Sequence, residues 1–189
     1  MSKNKRPTPP SDYNDDERMD EISQMLRVDH AGEMAAVEIY RAQRKVFANT
    51  NNLSGIDMIL AKQEAEEIAH KKAFDEILIE RGIRPTILEP IWKPAAQLLG
   101  YTTAFMGEKA AHACTAAVEE VIEQHYLDQE EKLSDNNPLK PIITKFRQEE
   151  SEHRDDAIEN GAEDAPLYPI LSAIIKTGCK IAIFLSHKI

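Results

Sequence analysis

Apolar positions along this chain recur at steps of three and four, with few alternating β-branched runs, so the pattern predicts helices. A first helix runs from Met19 or Asp29 to Ala48, and the polar loop Asn49–Leu53 follows. Ser54 is a plausible N-cap for a second helix, which ends near Gly82. A proline-punctuated connection covers Ile83–Pro94, and a third helix runs from Ala95 or Tyr101 to Lys132. The stretch Ser134-Asp-Asn-Asn-Pro138 breaks the pattern, with Pro138 placed to start a fourth helix that ends near Asn160-Gly161. A last apolar helix covers Leu167–Ser186. Four long helices and a C-terminal one read as an all-α bundle.

Glutamate and histidine interrupt the apolar stripes of these helices. On the second helix, Leu60, Gln63, Glu67, His70, Phe74 and Ile77 form one continuous face. On the fourth, Ile143, Phe146, Glu150, His153 and Ala157 do the same. Lys62, Lys71, Arg147 and Arg154 fall on other faces. A Glu and a His three apart share one side of a helix, so both can reach one metal ion. The spacing alone is weak, because six histidines and roughly one glutamate in nine residues give nearly one such pair by chance. Position carries more weight. Glutamate is almost never fully buried unless it is paired or bound to a metal.

The other two long helices supply a complement. His30, Glu33, Val37, Tyr40 and Phe47 make a stripe on the first, with Arg44 at its edge. His112, Thr115, Glu119, Ile122 and Tyr126 make one on the third. The order Glu33, Glu67-x-x-His70, Glu119, Glu150-x-x-His153 is an internal two-fold repeat. Four carboxylates and two neutral imidazoles neutralise two divalent ions. Mixed ligands of this kind point to two iron ions, with manganese as the alternative. Glu64, Glu66, Glu120, Glu149 and Glu152 adjoin the ligands but point about 100° away, and read as solvated charges. His30, His125 and Tyr126 are candidate outer partners of the metal site, with ordinary polar contacts the other reading, and Asp156 is placed to orient His153. No catalytic residue beyond the metal ligands is indicated.

The bulk numbers narrow the class. The 189 residues suffice for one domain with a real core. A net charge of −10 argues against nucleic acid as a partner. Cys114 and Cys179 form neither a disulfide framework nor a zinc pattern, so a reducing compartment fits. Residues 1–18 read as a mobile polar tail without an apolar signal core, too acidic for a mitochondrial transit peptide, and 19–189 as the domain. No stretch is expected to hold the ~20 apolar residues that span a bilayer.

Several segments resemble the demethoxyubiquinone hydroxylases of ubiquinone biosynthesis. They are Leu26-Arg-Val-Asp-His-Ala-Gly-Glu33, Ala113-Cys-Thr-Ala-Ala-Val-Glu-Glu120, His125-Tyr126, Phe146-Arg-Gln-Glu-Glu-Ser-Glu-His153, Arg84-Pro-Thr and Gly178-Cys-Lys-Ile-Ala. The resemblance runs from Leu26 to the end of the chain. It implies a ferritin-like four-helix bundle with an additional C-terminal apolar helix, and a di-iron monooxygenase that hydroxylates the ring of a demethoxyubiquinol precursor. It implies O2 as co-substrate, a reduced nicotinamide nucleotide as electron source and a polyprenyl quinol as substrate. The family's six ligands map onto Glu33, Glu67, His70, Glu119, Glu150 and His153, the same six that the stripes select. The chain departs from the family pattern at Met34, where a tyrosine is usual, and at Glu38, where an arginine is usual.

A lipid substrate requires contact with the bilayer. Residues 91–106, with Trp92, Leu98, Leu99, Tyr101 and Phe105, and residues 168–185 are the candidate membrane-facing helices. Lys176 and Lys180 sit one turn apart on the second, which suits an interfacial helix above anionic lipid. The expected location is peripheral, on the cytoplasmic face of a bacterial plasma membrane. Expected partners are the membrane surface, other ubiquinone-biosynthesis proteins and a second copy of the chain. Two rival functions share the fold: iron storage or peroxide scavenging, and a non-catalytic lipid-binding adaptor.

Overall fold

The computed structural model describes residues 13–48 and 55–188, with side chains from residue 20. It holds α1 (Tyr13–Phe47), α2 (Ile56–Arg81), α3 (Glu89–Phe105), α4 (Glu108–Lys132), α5 (Lys140–Glu159) and α6 (Tyr168–Lys188). A short 3-10 turn, Ala162–Asp164, joins α5 to α6, and no strand occurs among the described residues. The all-α expectation holds, and the bundle is consistent with the ferritin-like fold.

Four helices enclose the core. α1 pairs with α2 and α4 pairs with α5, while α3 lies along α1 and α6 lies across α4 and α1. α4 is the central helix. All ten residues from Ala110 to Glu119 are buried, which their mostly small side chains permit. One cluster, around Leu26, Phe74, Tyr126, Ile143 and Phe146, closes one end of the bundle. A second, around Tyr40, Phe47, Ile56 and Leu60, closes the other. The buried Glu and His residues lie between them.

The boundaries depart from the sequence reading in four places. The expected third helix is two, because Gly107 at φ +108° breaks it. Glycine tolerates that backbone where other residues do not. The first of the two starts at Glu89 rather than at Ala95. Pro90 and Pro94 fall in its first two turns, the earliest of which needs no backbone N–H donor. The backbone is already helical at Tyr13, so the expected tail boundary at residue 18 falls inside α1, and residues 1–12 lie outside the described residues. Ser54 and the loop from Asn49 to Leu53 also lie outside them. Gly55, at φ +79°, occupies the N-cap position of α2.

Gly100 sets the spacing of α3 on α1. A Cβ there would stand 2.5 Å from the Ile39 carbonyl oxygen and 2.9 Å from Ala42 Cβ. Glu38 accepts a hydrogen bond from Gln97 at 2.6 Å and faces Lys93 at 3.5 Å, so its carboxylate ties α3 to α1. Trp92 Nε1 donates to Ser186 Oγ at 2.9 Å, which ties α3 to α6.

α6 overturns one expectation. Its 21 residues are long and apolar enough to cross a membrane by length and composition, and most of that surface is exposed. Two lysines inside a hydrophobic helix had masked this in the sequence.

Candidate metal centre

The two helix pairs face each other across charged side chains. Glu33 and Tyr40 come from α1, Glu67 and His70 from α2, Glu119 and Tyr126 from α4, and Glu150 and His153 from α5. All eight are buried, with Glu67, Glu119 and Glu150 fully so. Their ligand atoms fall into two overlapping groups, Glu33–Glu67–His70–Glu150 and Glu67–Glu119–Glu150–His153. Within each group the atoms lie within 4.8 Å of one another. Glu67 and Glu150 belong to both. Glu33 and His70 belong to one group alone, and Glu119 and His153 to the other.

The donor set fits divalent cations. His70 Nδ1, His153 Nδ1, Glu33 Oε2, Glu119 Oε2 and both carboxylate oxygens of Glu67 and Glu150 are buried without a hydrogen-bond partner. Such atoms are costly to bury unless something binds them. Nitrogen and carboxylate oxygen together suit iron, manganese or a similar first-row metal.

The electrostatics show the same demand for positive charge. Burial, then the neighbouring Glu67, hold the Glu33 carboxyl well above its ordinary value. Burial, then Glu150 and Glu67, do this to Glu119. Burial opposes ionisation of Glu67 as well, but His153 and His70 prevail and bring it to about 2. Burial disfavours the charged form of His153, yet Glu150 and Glu67 push it up to about 12.

Around the ligands lies a ring of supporting groups. Tyr40 donates to Glu119 and Tyr126 to Glu33. Burial, followed by those carboxylates, raises both phenols well above their ordinary value, so both keep their protons. His70 Nε2 bonds Glu149 at 2.9 Å, and His153 Nε2 bonds Glu66 at 2.9 Å. The pairing is crossed, since each carboxylate holds the imidazole of the other Glu-x-x-His helix. Outside them, Lys62 faces Glu66 at 3.8 Å and Lys145 faces Glu149 at 3.4 Å. A hydrogen bond of this kind fixes the ring and its tautomer, leaving Nδ1 free for a metal.

A family comparison decides the assignment of the chain. The model of the family "Ubiquinone biosynthesis protein COQ7" matches residues 20–186. The chain belongs to the COQ7 family. It is 46% identical to the 3-demethoxyubiquinol 3-hydroxylase of Rhodospirillum rubrum, over 89% of this chain and 78% of that protein. It is 45% identical to the mitochondrial NADPH-dependent 3-demethoxyubiquinone 3-hydroxylase of Dictyostelium discoideum, over 89% and 77%. The human protein of the same description is 39% identical, over 89% and 78%.

The fold of this COQ7 member sorts the outer residues read from the sequence. Tyr126 touches a candidate ligand directly. His125 does not, because its Nε2 lies 3.2 Å from Asp29 Oδ1 and 2.8 Å from Gln129. His30 bonds Asp75 of α2 at 2.7 Å. Asp156 is half-buried and makes no hydrogen bond to His153, whose outer nitrogen is taken by Glu66. Four of the glutamates read as solvated are bound, the exposed Glu120 among them through Lys176 of α6 at 2.6 Å. Glu66 and Glu149 hold the histidines, and buried Glu64 pairs with Arg41 at 2.9 Å and Arg44 at 2.7 Å. Their angle on their own helix is as expected, but it aims them at a neighbouring helix instead of at water.

An apolar groove of about 460 Å³ lies among α1, α4, α3 and α6, and none of the six candidate ligands lines it. Gly32, Ala35, Val118 and Ile122, next to Glu33 and Glu119 on α1 and α4, line one side. Trp92 and Leu99 of α3 and Ile175 and Ala182 of α6 line the other.

Proposed function

We propose that this chain is an O2-dependent demethoxyubiquinol hydroxylase, an iron monooxygenase of ubiquinone biosynthesis. One observation carries the reading: two overlapping buried Glu/His groups that could hold metal ions, in a chain whose α1 and α4 also line an apolar groove of a size that suits a small ring. The names of the relatives supply the substrate class. In this reading Glu33, Glu67, His70, Glu119, Glu150 and His153 would hold two iron ions. Iron bound there supplies O2 activation. A ring C–H bond becomes C–OH, and the other oxygen atom leaves as water with an electron pair from a reduced nicotinamide nucleotide.

The chain's own residues do the rest. Glu66 and Glu149 orient the two imidazoles. Tyr40 and Tyr126 donate hydrogen bonds to Glu119 and Glu33 and so orient these two carboxylates. Ile175, Val118 and Leu99 keep water from the ring. The exposed apolar residues of α3 and α6 hold the molecule on the bilayer, so the substrate's tail remains in lipid. The exposed apolar helix α6 supports membrane association, and in this reading the position is peripheral, on the cytoplasmic face of a bacterial plasma membrane.

Complementation tests the activity. A strain blocked at this hydroxylation and expressing the chain should regain ubiquinone by mass spectrometry. Accumulated demethoxy precursor despite good expression would refute the reading. Metal analysis tests the ligands: Glu150→Ala, which removes a shared carboxylate, should not retain two irons per chain.

A further inference from the structure

α6 is the basic element of an acidic protein. The chain carries −10, yet Tyr168–Lys188 holds three lysines, a histidine and no acid. Helical periodicity puts Lys176 and Lys180 on one side, next to the exposed apolar face of Ile170, Ile174, Ile181 and Phe184. On the lysine side, between α4 and α6, lies a second cavity of about 580 Å³. Lys176, Lys180, Lys188, His125, His187 and Phe184 line it, and the carboxylates Glu120 and Asp128 lie on its α4 side, so the three lysines outnumber the two acids. Lys176 is held by Glu120 at 2.6 Å, and Lys188 lies over the Phe184 ring at 5.8 Å. Lys180 makes no ion pair among the described residues.

We propose that this cavity binds the phosphate of an anionic phospholipid headgroup, deepening the membrane-attachment reading on which it rests. The cavity wall is continuous with the bilayer-facing surface, because Phe184 is both exposed and part of the lining. A protein of net charge −10 is repelled by an anionic leaflet, and the lysine side of α6 offsets that repulsion where contact is made. Burial, then His125 and Lys132, lower the His187 imidazole, consistent with positive charge around the cavity.

Cosedimentation of the full chain with vesicles tests this, using phosphatidylcholine with and without phosphatidylglycerol. The wild type should bind the anionic vesicles more tightly, and added salt should weaken that preference. Lys180→Glu should lower partition onto anionic vesicles roughly tenfold or more, from about fivefold per charge near the surface. Binding to neutral vesicles and the circular dichroism spectrum should not change. Lys72→Glu, on exposed α2 surface, is the control and should have little effect. Equal loss from both lysine variants, or no loss from Lys180→Glu, overturns the headgroup site and leaves attachment standing. Absence of binding to either vesicle overturns the attachment reading itself. NADPH binding to the metal-free protein that Lys180→Glu abolishes, with vesicle binding intact, also overturns the proposal and gives the cavity to the soluble dinucleotide.

Discussion

Removing Glu66 should weaken one half of the metal centre and spare the other. In Glu66→Ala, His153 loses the acceptor on its Nε2 at 2.9 Å, so its ring orientation and tautomer are no longer fixed. Loss of such an outer carboxylate costs roughly 10–100-fold in metal affinity, or about 1.4–2.7 kcal/mol. Two features place this case at the low end. The Glu66 side chain is 37% exposed, so water screens the bond, and Lys62 at 3.8 Å shares its charge. We therefore expect about a tenfold loss for the ion on Glu119 and His153. The ion on Glu33 and His70 should keep its affinity. Glu149→Ala should give the mirror result. Competitive ferrous titration against a calibrated chelator reads the two affinities, and Glu152→Ala, an exposed neighbour, is the control. Wild-type affinities in Glu66→Ala, or an equal loss in Glu152→Ala, would refute the crossed-carboxylate reasoning.

Gly100→Leu should lift α3 from α1 and cost about 1–3 kcal/mol, as overpacking does, measured by denaturant unfolding; an unchanged midpoint would contradict the 2.5 Å approach to Ile39. Metal-free protein should lose stability as pH rises. The folded pKa of His153 lies above its unfolded value, so its contribution is complete below 6.5 and disappears between 6.5 and about 12. Glu67, lowered to about 2, contributes above 4.5 and loses that contribution as pH falls toward 2. Thermal unfolding in chelator across both ranges checks the two slopes. Ferrous iron at a hundredfold over its dissociation constant should add about 2.7 kcal/mol per site, read as a concentration-dependent melting temperature that vanishes in Glu150→Ala. Phe184→Ser should reduce binding to neutral vesicles about tenfold, from roughly 1.5 kcal/mol of lost apolar burial, with iron content unchanged.

The ligand-bearing faces were legible because a charged residue on an apolar stripe conflicts with burial unless it is paired or bound to a cation. Four such conflicts recurred in two similar halves. The family segments pointed to the same six positions. Periodicity could not show what lies opposite a face. Glu66 and Glu149 sit where a lone helix would expose them, and only packing reveals the histidine across the gap. The same limit hid Glu64, which two arginines of α1 receive. The break at Gly107 was hidden because helical apolar spacing continues on both sides of it. On α6, Lys176 and Lys180 drew attention away from the length of the apolar surface between and beyond them.

The crossed arrangement also bears on how this sequence can change over time. The two halves of the chain look like copies of one helix pair, and copies ordinarily drift independently. Here each half-site takes residues from both copies: Glu150 serves the group of Glu33 and His70, and Glu67 serves that of Glu119 and His153. Each imidazole is also steadied by a carboxylate of the other copy. A substitution in one copy is therefore felt in both, and neither can be inherited, exchanged or lost as a separate working unit.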